Sequence, residues 1–186
     1  MKQDAQLTRA VAANKIIAAV TLGAICALAA CQSISPDAPG AKAELQPTKG
    51  NRTTGSVVFT EVGAKVRVQA NVTGLKPNHE HGFHIHEAGD CSSGDGMSAK
   101  GHFNPQAKPH GPYSSSARHA GDMPNLRADA EGRAQAQFEL DTITVTAGAN
   151  SIVGRGLIVH VEPDDYTSQP VGNAGARLAC AVIVKR

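Results

Sequence analysis

Tryptophan is absent, and aromatic residues make up only 3% of the 186-residue chain. Long amphipathic helices are missing as well, because no stretch keeps apolar residues at helical spacing for several turns. Short valine-rich runs lie between glycines instead, of which there are 19. That pattern argues against a helical bundle and for an all-β domain. An excess of one charge is also lacking. The 18 basic and 16 acidic residues become 15 and 15 once Lys2, Arg9, Lys15 and Asp4 are set aside. No basic patch with interleaved aromatics occurs, which speaks against a nucleic-acid partner. No H-E-x-x-H occurs, so support for a zinc hydrolase is missing. At 41% hydrophobic, the chain can still build one ordinary domain with its own core.

The N-terminal residues 1–30 read as a signal peptide. Lys2, Arg9 and Lys15 precede an apolar run, Ile16 to Ala30, too short for a comfortable membrane span. The run ends Leu28-Ala29-Ala30-Cys31, which resembles the lipobox of bacterial lipoproteins. That resemblance implies a lipid on Cys31 and, with Gln32 following, a periplasmic protein anchored to the outer membrane. An ordinary signal peptide cut at the same place is the plainer alternative. Residues 31–52 read as a flexible tether, with Pro36, Pro39, Gly40 and Pro47 among Ala, Ser and Lys. Fully extended, it would reach on the order of 60 Å. Cys26 leaves with the signal peptide and Cys31 takes the lipid, so Cys91 and Cys180 remain in an oxidising compartment and are expected to pair.

The domain is expected at 53–186, with strands at Ser56–Thr60, Lys65–Thr73, Gly82–His86, Gly156–Val161 and Leu178–Val184. Lys65–Thr73 alternates strictly, with Val66, Val68, Ala70 and Val72 opposite Lys65, Arg67, Gln69 and Asn71, as a strand with one wet face does. Leu126–Asp129 and Arg133–Leu140 flank a turn and predict a hairpin. Two long stretches, Gly89 to Pro124 and Glu162 to Ala176, carry no period, and long loops in compact domains are usually functional.

Six of the eight histidines, with one aspartate, form a spaced cluster: His84, His86, His102, His110, His119, Asp122 and His160. Imidazole and carboxylate are ligands for zinc and copper. Seven ligands exceed one four-coordinate site and fall one short of two, a gap that a shared histidine closes. His84 and His86 share one face of a strand. Phe83 and Ile85 fill the core side, so the histidine face is expected to be the outer one. His102, His110, His119 and Asp122 lie in a polar, Gly/Pro-rich loop that something must order, and a structural metal is the usual device. His160 sits alone in an apolar strand. It becomes a ligand only if that strand lies beside His84 and His86, and is otherwise a structural histidine.

Gly82-Phe83-His84-Ile85-His86-Glu87, Gly101-His102-Phe103-Asn104-Pro105, Arg118-His119-Ala120-Gly121-Asp122 and Gly172 to Cys180 resemble copper/zinc superoxide dismutases of bacterial lipoprotein type. The resemblance runs from about Thr53 to the C-terminus. It implies an eight-stranded Greek-key β-barrel or sandwich with two long functional loops, one copper and one zinc per chain, and superoxide as substrate. By the same resemblance copper is held by His84, His86, His102 and His160, and zinc by His102, His110, His119 and Asp122. Superoxide would be dismutated to oxygen and hydrogen peroxide by a redox-cycling copper bridged through His102 to a structural zinc, with His102 carrying a proton. Asp164 would hydrogen-bond His84 and His110, and Arg177 would guide the anion. The stretch between Cys91 and His102 and the short segment from His160 to Arg177 depart from the commonest pattern. The latter lacks basic residues, leaving Lys100 or Lys108 to supply steering charge. Bacterial members vary in assembly, so a homodimer stays open. A non-catalytic copper or zinc buffer or chaperone on the same fold is the alternative. Such a protein should lack a copper ligand or the arginine, and neither is missing.

Overall fold

The computed structural model describes residues 37–186. The proposed signal peptide and Cys31 lie outside them. Ten strand segments follow in order: β1 Gly40–Pro47, β2 Thr54–Val62, β3 Lys65–Thr73, β4 Glu80–His81, β5 Phe83–His86, β6 Leu126–Arg127, β7 Ala134–Leu140, β8 Gly156–His160, β9 Arg177–Val182 and β10 Val184–Lys185. β4 and β5 are one run broken at Gly82, and β9 and β10 are one run broken at Ile183, so the ten segments make eight runs. Among the described residues, helix is limited to a 3-10 turn at Met97–Ala99.

The antiparallel order is β5-β8-β9-β1-β2-β3-β7, with β10 continuing β9 along β1 and β4 pairing β6. The path returns from β6 to β7 through a turn in which Asp129 N donates to the Arg133 carbonyl at 2.8 Å. This is the curled Greek-key barrel that the resemblance implied. Inside it, Val57 and Phe59 of β2, Val66, Val68, Ala70 and Val72 of β3, and Phe83 and Ile85 of β5 share one core. The β3 alternation fixes its register, because slipping by one residue would turn four apolar side chains to water.

Two expectations fail. The segment 31–52 is not a tether throughout, because Gly40–Pro47 is a strand paired with β2 from Gly40 to Leu45 and with β9 at Gln46 and Pro47. Ala41, Ala43 and Leu45 alternate into the core, while Lys42 and Glu44 stay exposed. Nor is the hairpin of Leu126–Asp129 with Arg133–Leu140 a paired ladder. Its turn forms, but β6 pairs β4 and β7 pairs β3 along its whole length. The two arms diverge because each finds a longer-range partner on a different part of the barrel.

Candidate metal centre

β5 sends Phe83 and Ile85 into the core and His84 and His86 to the opposite face. β8 lies antiparallel beside it, and His160 N donates to the Gly82 carbonyl at 2.8 Å. The condition for His160 to join the cluster is therefore met. The long loop is pinned to β5 by its backbone. Ile85 N donates to the Gly121 carbonyl at 3.0 Å and Phe103 N to the Ile85 carbonyl at 2.8 Å, which seats His102 and Asp122 next to the histidine pair. The expectation of an outer histidine face needs correction. That face points away from the core, yet His84 and His86 are fully buried, because the loops fold over them.

The seven side chains converge as two sets. His84, His86, His102 and His160 form one, and His102, His110, His119 and Asp122 the other, with the ligand atoms of each set all within 4.8 Å of one another. His102 belongs to both. Its ring stacks on His84 at 4.0 Å between centroids, while Nδ1 lies 2.8 Å from Asp122 Oδ1.

Whether these residues suit metal ions is decided by their unpartnered atoms. His84 Nδ1, His86 Nε2, His102 Nε2 and His160 Nε2 are buried without a hydrogen-bond partner, and His110 Nδ1 lies 3.1 Å from Asp122 Oδ2. Such atoms are costly unless something binds them. In four of these rings the other nitrogen is tied back. His84 Nε2 donates to Asp164 Oδ2 at 2.7 Å and His110 Nε2 to Asp164 Oδ1 at 2.9 Å. His86 Nδ1 donates to the Lys100 carbonyl at 2.8 Å, and His160 Nδ1 to the Gly175 carbonyl at 3.1 Å. Each such bond fixes the tautomer and leaves a lone pair facing the cluster, as metal-binding histidines require.

The electrostatics favour the neutral form of His86, His160 and His102 and the charged form of His110. Burial, helped by neighbouring rings, holds His86 and His160 well below the usual imidazole range. Burial also carries His102 down to about 3, with the His84 ring adding and Asp122 opposing. Burial opposes charge on His110 too, but the carboxylates of Asp122 and Asp164 outweigh it and raise His110 to about 9. Burial would raise Asp122, yet hydrogen bonds from His102, His110 and His119 hold it far below the carboxylate range. Asp164 is held low in the same way by His110 and His84.

Arg177 opens β9 and is the cross-strand partner of His160. Its guanidinium donates to the Gly96 and Lys100 carbonyls. Both acceptors lie in the stretch that follows Cys91, and Cys91 is disulfide-bonded to Cys180. Lys100 Nζ sits 3.4 Å from Glu87, and Lys108 Nζ donates to the Ser116 carbonyl at 2.9 Å.

Several supporting residues were not singled out from sequence. Asn125 clasps the Asp164 backbone, accepting from its N–H at 2.9 Å and donating to its carbonyl at 3.0 Å. Gln169 clasps the His110 backbone likewise, at 2.9 and 2.8 Å. Gly172 lies against Asp164 and His110 where no Cβ would fit. The remaining histidines, His79 and His81, stay outside both sets.

Comparison with known proteins gives a consistent result. A family model for copper/zinc superoxide dismutase matches residues 53–183. Copper–zinc superoxide dismutase 2 of Aquifex aeolicus is 44% identical over 147 residues, 77% of this chain and 85% of that protein. Copper–zinc superoxide dismutase 1 of the same organism is 39% identical over 164 residues, 86% of this chain and 96% of that one. The solved structure of the clock protein EA4 superposes with a TM-score of 0.72 at 39% identity, covering 79% of this chain and 94% of that chain.

Proposed function

The chain belongs to the copper/zinc superoxide dismutase family, and from that premise we propose that it converts superoxide to oxygen and hydrogen peroxide at the two joined ligand sets. Copper is assigned to His84, His86, His102 and His160, and zinc to His102, His110, His119 and Asp122. The observation that carries this reading is the convergence of four unpartnered buried ring nitrogens on one ligand set that shares His102 with the other. When bound, copper supplies one-electron redox chemistry and zinc a fixed charge without redox change.

The chain's own residues do the rest. His102 serves both sets only by giving up both ring protons, which two nearby cations favour. Its Nε2, which has no hydrogen-bond partner of its own, would be the atom that holds a proton for the departing product. Arg177, tied down by two carbonyls, offers a fixed cation that draws in and orients a small anion. Asp164 holds His84 and His110 on its two oxygens and so couples the two halves. The disulfide agrees with export to an oxidising compartment. We further assign a lipid to Cys31 and a place at the outer membrane, on the strength of Leu28-Ala29-Ala30-Cys31. With β1 starting at Gly40, the nine residues 31–39 can span at most about 30 Å.

Metal analysis of the purified protein, paired with a superoxide-consumption assay, tests this reading. One copper and one zinc per chain with rapid turnover is expected. Bound metal without turnover would leave a metal buffer in its place. In His160→Ala, copper and dismutation should be lost while zinc stays, and full activity in that variant would overturn the assignment.

A further inference from the structure

His110 is held at two levels by one loop. At its ring, Nε2 donates to Asp164 Oδ1 at 2.9 Å. At its backbone, the N–H donates to Gln169 Oε1 at 2.9 Å, and Gln169 Nε2 donates to the His110 carbonyl at 2.8 Å. One side-chain amide therefore meets both polar groups of one peptide residue, from 59 positions along the chain. An amide can do this because it carries a donor and an acceptor together. Gln169 itself is exposed, so its removal opens no cavity in the core.

The loop that presents Gln169 is closed on itself. Asp165 Oδ1 accepts from Thr167 N at 2.9 Å and Ser168 N at 2.8 Å, and Oδ2 accepts from Ser168 Oγ at 2.6 Å. Gly172 N donates to the Ser168 carbonyl at 2.7 Å and Asp165 N to the Gly172 carbonyl at 3.0 Å. Asp164 and Gln169 are thereby fixed relative to one another. The stretch they grip, residues 107–112, forms neither strand nor helix, so its backbone needs partners from outside. Asp164 sets how the His110 ring turns, and Gln169 sets where the residue stands. Nδ1 then lies 3.1 Å from Asp122 Oδ2, inside the second ligand set.

We propose that Gln169 is a positioning residue for the metal held by His102, His110, His119 and Asp122, an inference that rests on the zinc assignment of that set. Gln169 touches no ion. It places the His110 peptide so that the set stands assembled before the ion arrives, and binding need not order that stretch. The effect is one-sided. Both side-chain bonds of Gln169 go to His110, which belongs to the zinc set alone. Zinc should therefore depend on Gln169, and copper should not. Asp164, by contrast, serves one ligand of each set.

Chelator competition on protein loaded with copper and zinc measures the two affinities separately in the parent and in Gln169→Ala. Zinc affinity about tenfold lower, with copper affinity within about twofold of the parent, is expected. Gln169→Met keeps the length of the side chain without either bond and should match alanine. With cobalt(II) in place of zinc, the visible bands of the ion report its ligand geometry, and both variants should shift or broaden them. Equal loss of both metals would mean that Gln169 serves the fold at large, and overturns the proposal. Unchanged zinc affinity or unchanged cobalt bands overturns it as well. A parent that takes up no zinc at this set would sink the zinc assignment itself, whereas a parent that holds zinc no better than its variants sinks the role of Gln169 alone.

Discussion

Arg177 and His86 are bound to the same oxygen, the carbonyl of Lys100. One peptide group thus sets the tautomer of a proposed copper ligand and the position of the cation proposed to guide the substrate. Lys100 itself adopts φ 63° and ψ −148°, a conformation that non-glycine residues rarely hold. The strain sits where the carbonyl must be aimed, and the flanking backbone bonds hold it. Ala88 N donates to the Ala99 carbonyl at 3.1 Å and Glu87 N to the Gly101 carbonyl at 2.9 Å.

Lys100→Gly should therefore stabilise the protein. Relief of a strained backbone is worth on the order of 1–3 kcal/mol, against about 0.5–1 kcal/mol for the greater freedom of glycine when unfolded. The lost Lys100–Glu87 pair is exposed and contributes little. A rise in melting temperature of a few degrees is expected. Calorimetry on the metal-loaded variant checks it, and a fall would mean that the side chain is needed for more than its backbone.

Asp164→Asn keeps the shape and removes the charge. An amide offers one oxygen, so it cannot accept from both His84 and His110 as the carboxylate does. One of the two rings loses its anchor. Metal affinity should fall about 10- to 100-fold, as when other outer partners of ligand histidines are removed. Competition with a chelator measures this for each metal separately, and the larger loss identifies which ring went free.

Gly172→Ala should be more damaging than its size suggests. The added carbon would meet the Asp164 carboxylate and the His110 ring, at a φ of +69° that alanine disfavours. Either Asp164 or the loop must move. A loss of about 2–4 kcal/mol, in the upper range for single substitutions, is expected with reduced zinc content. Thermal unfolding before and after chelation separates the two effects, since strain in the loop persists without metal and a ligand defect does not.

The reach of sequence reasoning follows from how local each signal is. β3 was legible residue for residue because one wet face forces strict alternation. The seven ligand-type residues were legible by chemistry, since few residue types bind these metals. β1 was missed because the prolines and lysines in and around it look like a linker, although the inward pattern of Ala41, Ala43 and Leu45 was present. Burial of the His84 face was missed because what covers it lies far along the chain. Asp164 was reached only through the family resemblance, as Asp164-Asp165 in a loop reads as solvated acid. Asn125 and Gln169 gave no signal at all, because a loop amide reveals its partner only in space.

Glu61 supplies a pH dependence away from the metals. Burial would raise its carboxyl, but hydrogen bonds from Thr146 and Val145 outweigh it and leave it below its ordinary value. Both Val145 N and Thr146 N donate to Oε1 at 2.7 Å. A lowered folded value means stability that is present above the unfolded value of about 4.3 and lost as pH falls through the folded one. Glu61→Gln should therefore melt below the parent at neutral pH, and the gap should close as pH falls below the unfolded value and through the lowered folded one. Melting curves of both proteins across acid pH check the sign.

The Cys91–Cys180 bond closes a span of 89 residues. From chain entropy alone, such a closure is worth about 4–5 kcal/mol, and measured losses on removing native disulfides run about 2–5 kcal/mol. Cys91→Ser/Cys180→Ser should show a stability loss in that range. The activity should tell more. Arg177 lies three residues before Cys180, and its two acceptors, Gly96 and Lys100, lie in the stretch after Cys91. The disulfide thus ties the donor strand to the acceptor loop. If it positions Arg177, turnover per bound copper should fall about tenfold with copper content unchanged. If turnover per copper is preserved while the melting temperature drops, the two carbonyl bonds hold Arg177 unaided, and the disulfide acts on the stability of the fold alone.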